Sequence, residues 1–432
     1  MPPEKNLGFE DLLQISLVAL LLTIFSGVGG LWEQMFDHWG HNAKLYDLFL
    51  HKWPLSYPQG GPAYSYYFGY YLVPALISKV SGSIEEPALF LWTLAGLGLG
   101  LAWVYIVLKG KLLYILLCLC FGGFFTLLYI IFCEYEGRTY VIMTPLLEQL
   151  RSAPNQIIPT LIVGGMLVHL IKFRGDLQDV VLPCCLALWW ALLPALTMGL
   201  LVGLLILRQW RSTGIYGPSL FTKIVVPLVV SVPVLTLFAS SSGVPDSGFV
   251  WELGQRKSFL FNYLVFFVPN LAALYLGWIV LRRGRPATMP AYPFLLTLGL
   301  MLLLPLYRMG RYNDLFLRGV MSYTLIAGLY VLIPIAGEGS YRPLLTTARK
   351  SVLGFLVVLL MLFSLMGMGK MMKRSVKYNS LTALLFPMRI PYRAFPYDRF
   401  PTIYQMQLGQ FSQLEARKYL GREDSLYERY IR

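Results

Sequence analysis

Three of the chain's four histidines fall within residues 32–54, WEQMFDHWGHNAKLYDLFLHKWP, alongside Glu33, Asp37, Asp47, Lys44 and Lys52. Read as a helix, this stretch puts Asp37, His41 and Lys44 on one face at i, i+4 and i+7. A carboxylate one turn from a histidine is the arrangement of a general base with an orienting partner. Glu33, one turn before Asp37, is a second candidate for the base. The same pattern also fits an interfacial helix with solvated charges, in which Leu45, Leu48 and Phe49 form an apolar stripe on the membrane. A metal is a further thought, because His38, His41 and His51 lie near Asp37 and Asp47. On one helix, however, His38 and His51 cannot converge with His41 on a single ion. The reading assigns no metal or other cofactor, and a divalent cation would need ligands from outside the segment.

Two more polar segments interrupt apolar sequence. In FCEYEGRTYVIMTPLLEQLRSAPNQIIP (132–159), Glu134 and Glu136 leave one apolar run, and Asn155 and Gln156 open the next behind Pro154, a normal helix-start signal. The Asn-Gln pair is suited to hydrogen-bond a sugar or phosphate, or to cap the helix, and capping is the favoured expectation. In YRMGRYNDLFLRGV (307–320), Arg308, Arg311, Asn313, Asp314 and Arg318 cluster between two spans. Arginine suits bidentate contact with phosphate. Asp314 and Arg318 have i, i+4 spacing for a pair, and a snorkelling interfacial turn is the plainer alternative. His169 stands alone in an apolar helix and reads as a core histidine. No Gly-rich phosphate loop, serine nucleophile elbow or HExxH is present.

The elements that must position these residues are transmembrane helices. Hydrophobic residues make up 56% of the chain and charged residues 13%, with mean hydropathy +0.60; soluble domains carry about 25% charged residues. Apolar runs at about 11–31, 62–80, 86–108, 112–133, 156–173, 178–193, 194–210, 219–240, 259–281, 289–307, 317–336 and 349–369 predict an all-α bundle of 11–13 crossings. Pro194 divides the long run 178–210 into a hairpin. The first apolar run lacks a basic n-region and a cleavage site and reads as a retained helix. The five cysteines match neither a disulfide framework nor a zinc spacing. The chain divides into a helical membrane domain, 1–370, containing a first extracytoplasmic loop with an interfacial helix at 32–61, and a short basic tail, 371–432.

Sidedness follows from Lys and Arg in short loops. Lys172 and Arg174, then Arg208, Arg211 and Lys223, then Arg282, Arg283 and Arg285, read as one cytoplasmic side. Residues 134–155, 241–258 and 308–316 then share the other side, with the tail after 370. With 32–61 also outside, either one element between 62 and 133 fails to cross or an extra crossing is hidden there, and the run at 62–80, with five tyrosines and Pro74, is the weakest candidate. Lys370, Lys373, Arg374 and Lys377 would prefer the cytoplasm. The net charge of +14 points to anionic headgroups or a phosphate-bearing lipid and away from nucleic acid.

An acidic residue directly after the first helix, in MFDHWGHNAKLYDL, followed by the aromatic, Pro-rich WPLSYPQGGPAYSYYFGYYLVPAL, resembles the GT-C class of membrane glycosyltransferases. DHWGHNAKLYDLFLHKWP, SAPNQIIP, GRYNDLFLRGVMSYTL and RKYLGREDSLYERYI further resemble bacterial polytopic proteins of GT-C-like kind. The resemblance implies a multi-pass protein of the bacterial inner membrane with an extracytoplasmic site. It implies a polyprenyl-phosphate-linked sugar donor and a glycan or lipid acceptor hydroxyl. Asp37 then acts as base, with Glu33 in reserve and His41 orienting it. Lys44, Asn155, Gln156, Arg311, Asn313, Asp314 and Arg318 are candidate substrate or phosphate contacts, and all three polar segments are expected to converge. A transporter or flippase of a lipid-linked substrate, which should show an internal repeat with broken helices, and a non-catalytic subunit of a membrane assembly are the competing readings.

Overall fold

The computed structural model describes residues 7–56, 61–122, 141, 143–213, 220–244, 246–253, 256–285, 289–310, 313–336, 342–385, 392–410 and 413–432. The protein is an all-α polytopic membrane bundle. The helices are α1 (Phe9–Phe25), α2 (His38–Leu50), α3 (Gly69–Ser81), α4 (Glu86–Val107), α5 (Leu112–Cys120), α6 (Leu146–Ser152), α7 (Pro154–Phe173) and α8 (Val181–Ala187). They continue as α9 (Leu192–Thr213), α10 (Phe221–Ala239), α11 (Phe259–Arg282), α12 (Ala291–Leu303), α13 (Asp314–Ala336), α14 (Arg342–Lys350) and α15 (Val352–Lys377). Short helices follow in the tail. Among the described residues strand is confined to Gly248–Phe249 paired antiparallel with Tyr307–Arg308 and a few isolated bridges.

Six of these helices (α4, α7, α9, α10, α11 and α13) are long and apolar enough to span a bilayer. Burial ranks them. For α13, 94% of the apolar window is buried, against 22% for α10, so α13 is the axis of the bundle and α10 faces lipid. Without a hydrophobic drive between helices in lipid, close contact relies on small residues. Gly96 and Gly100 on α4 supply it against α7, where an added Cβ would meet Ile158 at 2.9 Å and Leu161 at 2.7 Å. Gly319 and Gly328 do the same on α13: a Cβ would meet Thr197 at 2.7 Å and Cys118 Sγ at 2.9 Å. The hairpin in 178–210 turns at residues 188–191, ahead of the expected breaker; Pro194 sits in the first turn of α9, where its missing N–H costs little.

Contacts sort the loops to two ends. At one end Tyr105 OH donates to Asp11 Oδ1 (2.7 Å), Lys172 Nζ donates to Val107 O (2.8 Å), Lys223 pairs with Asp176 (2.9 Å) and Asp179 (2.6 Å), and Arg208 lies 3.8 Å from the centre of the Tyr292 ring. The basic clusters thus share one end. At the other end lie the exit of α1, α2, α6, the starts of α7 and α13, and the tail. The run at 62–80 begins and ends at this end of the bundle. Helix α3 has 13 residues, about 20 Å of helix against the ~30 Å hydrocarbon core. It starts two turns deep, where Tyr70 OH meets Thr93 Oγ1 at 2.5 Å, and climbs back to the surface, where Lys79 Nζ donates to the carbonyls of Phe49 (2.9 Å) and His51 (2.8 Å).

The tail folds back over this end. Helix α15 runs past residue 370 to Lys377, carrying its basic residues to the end away from the other basic clusters. Beyond it, Phe395 stacks on Trp39 with ring centres 4.1 Å apart, Ile403 N donates to Asp47 Oδ2 (2.9 Å), and Tyr64 and Ser241 bridge to Leu420 and Gly421. Glu428 Oε1 accepts from Ala63 N (2.6 Å). If α3 is re-entrant, Lys52→Cys and Ser83→Cys react with an impermeant maleimide from one side of the membrane and Arg211→Cys from the other. Labelling of position 83 together with 211 would show that α3 crosses.

Candidate functional site

The site begins with the chain reversal after α1. Gly27 and Gly30 take φ of +81° and +72°, left-handed values that favour glycine, and a Cβ at Gly30 would meet Ala394 Cβ at 2.6 Å. The reversal brings His38 back to α1, where Nε2 lies 3.0 Å from Ser26 O and 3.1 Å from Arg151 O. Carbonyls only accept, so Nε2 carries the proton. Burial lowers the His38 pKa to about 4, and the ring is a neutral brace.

Asp37 precedes α2 and pairs with Arg318 in the first turns of α13, Oδ2 to NH2 3.1 Å. Arg318 NH1 donates to Gln149 Oε1 (2.7 Å) and Ser152 Oγ (3.0 Å), both from α6. The first loop, the 146–156 segment and the start of α13 therefore meet at one point. The Asp37 side chain is 41% exposed and that of Arg318 16%, so an open carboxylate rests on a fixed guanidinium. Beside it is a closed network. Arg151 binds Glu148 (2.9 Å) and Glu33 (3.1 Å), and Ser375 of α15 joins Arg151 and Glu33.

Lys44 of α2 is 3% exposed. Its Nζ is 4.4, 5.3 and 4.8 Å from the ring centres of Tyr66, Tyr67 and Tyr71 and 3.4 Å from Tyr66 OH. A hydrogen-bond line continues from Tyr66 OH to Tyr67 OH (3.2 Å), which accepts from Gln156 Nε2 (2.7 Å). Burial lowers the Lys44 pKa to about 7, with Asp37 opposing the shift and Arg318 adding to it. Behind Tyr66 and Tyr67 is a cavity of about 340 Å³ walled by Trp53, Phe68, Trp189, Val234, Leu237 and Tyr427 among others. Its lining comes from the first loop, α3, the lipid-facing α10 and the tail.

Several expectations change. Glu33 is not one helical turn before Asp37: residues 33–35 are non-helical, and Glu33 is tied to Arg151 and Ser375. His41 does not orient Asp37. Its Nε2 donates to Ser152 O (2.8 Å), its Nδ1 accepts from Tyr71 OH, and burial first and Lys44 second hold its pKa well below the usual value. The partner of Asp37 is Arg318, and Asp314 faces Lys418 of the tail (3.7 Å) in place of Arg318. Asn155 and Gln156 do not cap α7; Asn155 Nδ2 reaches Trp190 O (2.9 Å) and Gln156 reaches Tyr67. Asn313, at φ +53°, presents Oδ1 to the N–H groups of Met309 (3.4 Å) and Phe316 (3.3 Å), ending the loop and starting α13. Leu45 and Leu48 pack into the core. Arg311, Glu134 and Glu136 lie outside the described residues. No group of His, Cys, Asp and Glu among the described residues could hold a metal ion.

Sequence reasoning passed over α6, whose Gln149, Arg151 and Ser152 hold the site, and Lys418 and Tyr419 of the tail. The signal for α6 was present: four polar side chains in LLEQLRS between two apolar runs. No family model matches the chain, and no curated protein or solved structure does.

Two stability tests follow from the burial. Arg151→Gln leaves Glu33 and Glu148 facing each other without a cation, a loss of about 3–5 kcal/mol for a broken buried pair. Thermal unfolding in detergent should show a larger fall for Arg151→Gln than for Asp37→Asn, whose carboxylate is open to water. For Lys44, the unfolded chain keeps its proton to about pH 10, whereas the folded chain releases it near 7. The unfolded state binds more protons in that window, so folded stability rises with pH there and the full cost of the buried charge is felt below it. Melting from pH 6 to 10 should therefore rise in the wild type relative to Lys44→Met; parallel curves would refute the buried, proton-shedding lysine.

Proposed function

We propose that the chain is a membrane glycosyltransferase of the bacterial inner membrane, moving a sugar from a polyprenyl-phosphate donor to an acceptor hydroxyl on the extracytoplasmic side. The observation that carries this reading is the Asp37–Arg318 pair: an accessible carboxylate and a half-buried, hydrogen-bonded guanidinium, side by side at one end of the bundle. In the reaction the bond from the sugar's anomeric carbon to the phosphate oxygen breaks and a bond to the acceptor oxygen forms. The acceptor's proton passes to Asp37, and the polyprenyl phosphate leaves with the bonding pair. Arg318 holds one carboxylate oxygen, Oδ2, and the other takes no hydrogen bond from the described residues. The same guanidinium is the nearest fixed cation for the leaving phosphate. The aromatic cavity beside Tyr66 and Tyr67, bordered by lipid-facing α10, gives the apolar chain of the donor a place. Glu33, tied into the Arg151 network, serves the fold.

Asp37→Asn keeps the shape and removes the base, so turnover should fall about 10²–10⁴-fold while the protein still inserts. Arg318→Lys should weaken donor use. Mass spectrometry of lipid and polysaccharide products from cells carrying each variant reads both, and unchanged products in Asp37→Asn cells would end the transferase reading and favour transport or assembly.

A further inference from the structure

Buried ammonium groups are costly unless a carboxylate or several hydrogen bonds compensate them. Lys44 has neither: among the described residues it makes no ion pair, and its neighbours are three tyrosine rings and one phenol oxygen at 3.4 Å. Every element around it contributes a charged or titratable group. Helix α2 brings Asp37 and His41, α3 brings Tyr71, the chain before α3 brings Tyr66 and Tyr67, α13 brings Asp314 and Arg318, and the tail brings Lys418 and Tyr419. Within that set the carboxylates are taken, Asp37 by Arg318 and Asp314 by Lys418. His41 is neutral, its Nδ1 occupied as an acceptor. The tyrosines are held in the phenol form by burial. The pairs cancel, and Lys44 alone decides whether the site is neutral or carries one positive charge.

We propose that Lys44 couples anion binding to proton uptake: a phosphate monoester docking at Arg318 is bound together with one proton, which Lys44 takes from water. The inference rests on the phosphate-binding reading given above. With the site empty, the amine loses little by shedding its proton into solvent, and the tyrosine faces stabilise the ammonium only partly. A dianion at Arg318 supplies the missing counter-charge and returns the proton to Nζ. No bond other than N–H forms, and the proton comes from the medium. The site thereby accepts phosphate without holding a permanent buried charge when it is empty.

Calorimetric titration of the full chain in detergent with farnesyl phosphate, near pH 8 in two buffers of different ionisation enthalpy, counts the protons. The phosphate is already a dianion there, its second pKa lying near 6, so uptake belongs to the protein. The wild type should take up close to one proton, and affinity should fall about tenfold per pH unit above neutrality. Lys44→Arg, with its charge fixed, should bind with no uptake and no pH slope, and Lys44→Met should bind more weakly with no uptake. Inorganic phosphate in a parallel titration separates the sources: uptake with both ligands assigns the site to phosphate alone, and uptake with farnesyl phosphate only assigns it to a lipid headgroup. Binding without uptake, or uptake that survives in both variants, sinks the coupling and leaves the transferase reading standing. Failure of farnesyl phosphate to bind at all sinks both.

Discussion

Arg318 sits in the first turns of the most buried helix of the bundle, and the cost of taking its guanidinium out of water organises what surrounds it. An unpaired buried charge costs several kcal/mol, so α13 can start here only if other segments bring acceptors. Gln149 and Ser152 come from α6, and Asp37 from the loop after α1. Each of those has its own support. Asp37 is placed by the glycine reversal and the His38 brace to Ser26, and α6 by the Arg151 network that also ties Glu33 and α15. One desolvation problem thus fixes the mutual position of four segments far apart in the sequence.

The membrane part obeys a different constraint. Lipid offers no hydrophobic reward for helix contact, so the axis is set by where backbones can approach. Gly319 and Gly328 let α9 and α5 close on α13, and Gly96 and Gly100 let α4 close on α7. Polar side chains there bond locally: Ser322 Oγ donates to Pro194 O and Tyr323 OH to Thr197 O, both at 2.9 Å. These contacts hold α9 against α13 just beneath the site, so the floor under Arg318 is packed and its polar neighbours lie above.

The difference in constraint explains what could be read from the sequence. Apolar runs marked nearly every bundle helix because length and hydropathy are local properties. The five-tyrosine run with Pro74 stood out as the weakest span, and it forms the short α3, whose two flanks meet the same end of the bundle. Local reasoning failed wherever a partner was distant. Helical spacing joined Asp37 to His41 and Asp314 to Arg318, whereas the fold joins Asp37 to Arg318 and gives Asp314 to Lys418 of the tail. A one-turn spacing says that two groups share a helix face; which groups compensate a buried charge depends on the packing of the whole end. The tail read as a loose basic appendage because each anchor joins a side chain to a distant backbone group, which no residue pattern advertises: Asp47 Oδ2 accepts from Ile403 N, Ser241 Oγ donates to Lys418 O and Glu428 Oε1 accepts from Ala63 N.

The cations of this end show graded compensation. Arg151 has two carboxylates and a serine on its terminal nitrogens and is buried. Arg318 has one carboxylate that is itself open to water, with two neutral oxygens behind it. Lys44 has π faces and a phenol. A cation that is fully paired has nothing left to offer a ligand, and one that is fully buried without compensation would not remain charged. Compensation by carboxylates therefore falls from Arg151 through Arg318 to Lys44. Under the proposed transferase reading, that order would place an anionic headgroup at Arg318 within reach of Lys44, its apolar chain beside Tyr66, Tyr67 and α10, and the acceptor at the open side of Asp37.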